Sequence, residues 1–248
     1  MLINLRVLCF VGVIVLPLTA CFGLTELQTR MRNSIRTGVK TDDFKGIFAR
    51  SGVSSNEFSL ALVGLEDYER NVATNDHPMI HDVVVHRLAE MGTTNAVETL
   101  TWLFENSRGF RDEGKKLDSF EGLIRIEGLS TNLVSGYSSL MTSTNEFDEH
   151  FRINIYHELP SAIHRFSRPD SERLLARDFL LQSVEVETRY VDKLDGAIIS
   201  LDPTYANSKR RLANLRTVLP RVRLTAQKQY IISAIDALVA YPEANLPD

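Results

Sequence analysis

The chain has 248 residues, 44% of them hydrophobic and 24% charged, a balance that excludes wholesale disorder and is enough for one large domain or two small ones with a genuine core. Its formal net charge of −4 gives no overall attraction for a phosphate backbone, so nucleic acid is not an expected partner without a local basic patch. Both cysteines, Cys9 and Cys21, fall at the start of the chain, so the remainder must fold without a disulfide.

The first residues, Met1 to Arg6, carry a positive charge at Arg6 and the amino terminus, and an apolar run follows from Val7 to Leu16 before Pro17. This is the three-part layout of an export signal, and the run is short of the roughly 20 residues that a membrane span needs. The segment ends Leu18-Thr19-Ala20-Cys21, which resembles the lipobox of bacterial lipoproteins. That resemblance implies removal of residues 1–20, a diacylglycerol on the thiol of Cys21, and acylation of the new amino terminus. Each buried methylene of such an anchor adds about 0.8 kcal/mol. Phe22, in place of an acid, implies outer-membrane sorting if the cell is Gram-negative. The alternative is an ordinary secretory signal cut after Ala20 or Gly23, with Cys21 incidental. Either way, residues 21–248 form the expected working part, a single all-helical domain with a subdivision, if there is one, near 167–170.

Along that part, helix punctuation recurs. Thr25-x-x-Gln28, Ser54-x-x-Glu57 and Ser143-x-x-Glu146 match the capping box, and Asn95-x-x-Glu98 is a looser version. Gly92 and Gly128 stand where helices would stop, and Asp202-Pro203 pairs an N-cap with a proline in the first turn. Apolar residues follow helical spacing at Ile80, Val83, Val84, Leu88 and Met91, and again from Phe147 through Phe151, Ile155, Leu159 and Ile163 to Phe166. Pro160 is expected to kink that second helix or end its first half. Further stripes run through Leu174, Leu175, Phe179 and Leu181, through Val191, Leu194, Ile198 and Leu201, through Leu212, Leu215 and Leu219, and through Ile231, Ile235, Leu238 and Val239. No alternating strand pattern or hairpin dipeptide interrupts them. The predicted class is all-α, an array or irregular bundle of short antiparallel helix pairs.

One internal echo accompanies this pattern. Gly92-Thr93-Thr94-Asn95-Ala96-Val97 resembles Gly128-Leu129-Ser130-Thr131-Asn132-Leu133-Val134 after one inserted residue, and at the resulting offset Leu100 pairs with Tyr137, Leu103 with Leu140 and Phe104 with Met141. The period resembles that of HEAT-like helical repeat proteins, which implies an α-solenoid whose pairs cover one another's apolar faces. Convergent helix-turn-helix punctuation would give the same echo.

The residues that could carry chemistry are few. His150, His157 and His164 recur every seven residues on one helical side, but neighbours about 10.5 Å apart along the axis cannot share a zinc ion. They are expected to face solvent or a partner. His77 and His81 have the better metal spacing, although Pro78 places His77 at or before a helix cap, the simpler role. His157-Glu158-Leu159-Pro160-Ser161 begins like a zinc-protease helix and has Ser161 where the second histidine belongs. No nucleophile elbow, dinucleotide fingerprint or P-loop occurs. Lys209, Arg210, Arg211 and Arg216 begin a basic stretch, continued by Arg221 and Arg223, that suits anionic headgroups or an acidic partner, or else the solvated face of an amphipathic helix. Trp102, the single tryptophan, reads as core.

The leading expectation is therefore a non-enzymatic helical protein of the cell envelope, lipid-tethered or secreted, that binds another protein or peptide and needs no cofactor. The alternatives are a metal- or carboxylate-dependent hydrolase of envelope material and a purely structural lipoprotein.

Overall fold

The structure, a computed structural model, describes residues 24–37, 43–73, 78–143, 145–242 and 245–248. The leader, the lipobox with Cys21, and His77 lie outside the described residues. Within them are twelve α-helices and no strand, so the all-α expectation holds. The helices are α1 (Glu26–Arg36), α2 (Asp43–Ser51), α3 (Ser55–Asn71), α4 (Pro78–Met91), α5 (Val97–Asn106) and α6 (Glu113–Glu127). They continue with α7 (Thr131–Thr142), α8 (Glu146–Arg165), α9 (Asp170–Leu181), α10 (Val191–Leu201), α11 (Lys209–Val218) and α12 (Thr225–Val239).

Local chemistry sets most of the helix ends. At α1 the Thr25 hydroxyl accepts from the Gln28 amide at 3.3 Å while the Gln28 side chain accepts from the Thr25 amide at 2.8 Å. Ser54 and Glu57 make the same reciprocal box at α3, with distances of 3.3 and 2.9 Å. The third expected box is used differently. Asn145 caps α8 by accepting from the Phe147 amide at 2.8 Å, and the Ser143 hydroxyl donates to Asp148 at 2.6 Å instead. Asp202-Pro203 opens a 3-10 turn, Pro203–Asn207, rather than an α-helix. Gly92 and Gly128 end α4 and α6 with φ of 58° and 70°, a conformation that side chains other than glycine resist.

Packing follows a repeated scheme. Helices α3 and α4, α5 and α6, α7 and α8, α9 and α10, and α11 and α12 lie against each other in pairs. The second member of each pair also touches the next, so α4, α6, α8, α10 and α12 form a continuous row. A single set of buried apolar side chains accompanies that row from Met31 to Leu246. Between α8 and α9 the chain turns back through Ser167, whose φ is 49°. Where α4, α5 and α6 meet, a methyl group on Gly122 would lie 2.8 Å from both the Ala89 backbone and Leu100, so glycine sets how close these helices come.

Two elements depart in detail from their sequence pattern. Helix α8 passes through Pro160 without ending. Its buried row of Phe147, Phe151, Ile155, Leu159 and Ile163 meets α6, α7, α9 and α10. At about 1.5–3 kcal/mol for each fully buried side chain, that row outweighs the roughly 3 kcal/mol cost of an interior proline. Helix α9 buries Ala176, Phe179, Leu180 and Leu181 and leaves Leu174 and Leu175 partly exposed. No helix among the described residues is long and apolar enough to cross a membrane.

Candidate functional site

A groove of about 760 Å³ lies between α8 and α10. One wall is a row along α8, where Ile153, His157, Ser161 and His164 follow one another at helical spacing. The other wall is the α10 row of Asp192, Lys193, Gly196 and Ser200, and Tyr156, Pro160 and Ala197 form its apolar lining. A methyl group added to Gly196 would meet no atom within 4 Å, so space is open at the centre of the α10 wall.

Buried carboxylates fix that wall. Glu187, fully buried in the connection before α10, accepts from Arg152 Nε at 3.2 Å and Tyr156 OH at 2.7 Å. Its other oxygen accepts from the backbone amides of Arg189 and Tyr190 at 2.7 and 2.9 Å, which sets where α10 begins. Asp195 accepts from Arg211 at 2.7 Å and from Tyr230 OH at 2.5 Å, tying α10 to α11 and α12. Asp192, at the groove's end, exchanges two hydrogen bonds with Gln227 of α12 at 2.9 and 3.1 Å. These bonds tie α10 and the connection before it to α8, α11 and α12.

Comparison with protein-family models, curated proteins and solved structures yields no match. The site must be understood from its own residues.

His157 and His164 line the groove, whereas His150, the first of the trio, packs beside Phe110 at 5.5 Å and lies 3.7 Å from Glu113. His81 is largely buried and turns towards Glu66, with 3.5 Å between Nδ1 and the carboxylate. Burial, then the charge of Lys115, lowers its pKa to about 4. Burial raises Glu66 to about 7 against the pull of Arg70, and neither Glu66 oxygen has a hydrogen-bond partner. Among the described residues no three His, Cys, Asp or Glu side chains gather to hold a metal ion. The basic stretch divides. Arg211 is half-buried on Asp195 and on the Ala206 carbonyl, Lys209 reaches Asp248 at 3.3 Å, and Arg210 and Arg216 are exposed.

Trp102 is not core. It is 45% exposed, with the Arg70 guanidinium 4.1 Å over its ring, because Leu100, Leu103 and Phe104 take the inner side of α5. The two acids Glu121 and Glu158 approach across α6 and α8, and Arg165 donates to both, at 2.7 and 3.2 Å.

Sequence reasoning missed Lys116. Its ammonium is buried, 5.4 Å from the rings of Phe104 and Phe151, donates to the Ser107 carbonyl at 3.2 Å and lies 4.0 Å from buried Asp148. Burial lowers its pKa to about 8 despite Asp148. The residue sits at one side of a cavity of about 300 Å³ with Arg108, Ser135 and Ser139. Nothing local in Gly114-Lys115-Lys116-Leu117 distinguishes Lys116 from Lys115, which is half-buried and pairs with Asp112 at 3.0 Å.

Proposed function

We propose that this is a non-enzymatic binding protein of the cell envelope, a HEAT-like array of helix pairs tethered through an acylated Cys21, which holds a peptide segment of another envelope protein in the α8–α10 groove. The observation that carries the proposal is the groove itself. Its volume lies within the ~300–1,000 Å³ of preformed ligand sites, and it combines an apolar lining with polar side chains on both rims. Paired helices stacked through a common row support the array reading. The step from array to binding is an argument from architecture, so the groove needs a direct test.

Gly196→Trp is that test, because the added ring enters open space. A photoreactive residue at Ser200, in living cells, should give a discrete adduct with one partner. The adduct should vanish with Gly196→Trp and be absent from a probe at exposed Gly114. Adducts equal in kind from Ser200 and Gly114, or unaffected by Gly196→Trp, would remove the groove from the account.

A further inference from the structure

Helix α12 ends the row of packed helices, and only Ile231 and Leu238 on it are buried. Its outer side shows Ile232 at 46% and Val239 at 54% exposure, with Leu224 just before the helix at 49%. Two charges alone occur in the helix, Lys228 and Asp236. Both are exposed, and neither side chain pairs with a described residue.

The placement of these two charges is self-complementary. Leu224, Lys228, Ile232, Asp236 and Ala240 form one row at spacing four, centred on Ile232. In the commonest helix crossing, near −50°, the spacing-four rows of two helices run side by side. If two copies of α12 cross antiparallel about Ile232, Lys228 of each meets Asp236 of the other, and each Leu224 covers the small Ala240. We infer that this face joins a second copy of the same chain in a two-fold dimer. Both ion pairs form at once because the interface is isologous. A 15-residue helix is about 22 Å long, so one crossing falls below the ~1,200 Å² of a standard interface. The dimer is weak and depends on concentration.

The dimer face and the groove are separate. Gln227, which bonds to Asp192, lies roughly 140° around the helix from Ile232, so Gly196→Trp leaves dimerisation unchanged.

The test is a disulfide trap in the full chain. Ile232→Cys places two thiols at the dyad, and mild oxidation should yield a linked dimer that a cysteine at Thr204 does not. Adding Lys228→Glu, or separately Asp236→Lys, sets like charges opposite each other and should lower the yield about tenfold, which corresponds to 1.4 kcal/mol. Co-expressing the two reversed chains should restore it, as a mixed dimer with opposite charges in register. Equal trapping from Thr204→Cys, indifference to either reversal, or no rescue on mixing would each overturn the inference. All these side chains are exposed, so failure to fold does not confound the result.

Discussion

Glu66 is a carboxyl group in the wrong solvent. It is fully buried with no hydrogen-bond donor on either oxygen, so the folded protein prefers its neutral form and its pKa rises to about 7. The folded value lies above the unfolded one. Its cost is therefore absent below about pH 4.5, grows through the window up to about 7, and is complete above it. His81 has the opposite window, since its folded value near 4 lies below the unfolded one and its cost appears as pH falls from about 6.5. Glu66→Gln keeps the shape and removes the charge. It should stabilise the protein at pH 8 by up to about 3 kcal/mol and make little difference near pH 4.5. Denaturant titrations at the two pH values check this, and a difference independent of pH would contradict it. Lys116 and Asp148 form the second buried system. Asp148→Asn removes both the Arg108 ion pair at 2.9 Å and the charge facing the Lys116 ammonium, and should cost about 3–5 kcal/mol, only the Lys116 part of it recovered by adding Lys116→Met, as a double-mutant cycle would read. None of this was legible in the sequence. Burial of Glu66, Lys116 and Glu187 is decided by helices brought together from distant parts of the chain.

Elements were far more legible. Capping boxes at Thr25 and Ser54 and the left-handed glycines at 92 and 128 act within a few residues, so their signals survive without tertiary context. The failures have a common cause. Pro160 and the outward leucines of α9 follow the packing face, which no local rule specifies. Glycine shows the same dependence in a measurable way. Gly196 lies on an open helix surface, so Gly196→Ala should stabilise by about 0.4–1 kcal/mol through a stiffer unfolded chain and better helix propensity. Gly122 lies where α4 and α6 nearly touch, so Gly122→Ala should destabilise by about 1–3 kcal/mol through overpacking. Thermal melts of the two variants should move in opposite directions, and a shared sign would mean that helix propensity alone governs both sites.

At the scale of the molecule, the described residues are all-helical, and one buried apolar set runs from Met31 to Leu246. The all-α class could be read from periodicity. The order of the pairs and the groove between α8 and α10 could not, because small residues such as Gly196 and Ser161 mark a gap only once their helices are neighbours. The groove and the α12 face concern partners, and the identity of those partners depends on where the chain resides. The proposed tether is the acylated thiol of Cys21, which makes the address the central claim. The intact mass of the protein recovered from the cell envelope tests it most directly. The account predicts a chain that begins at Cys21 and carries the added mass of a diacylglycerol and an acyl group. A chain still beginning at Met1 in the cytosolic fraction, or an unmodified one beginning at Phe22 or Leu24, would contradict it.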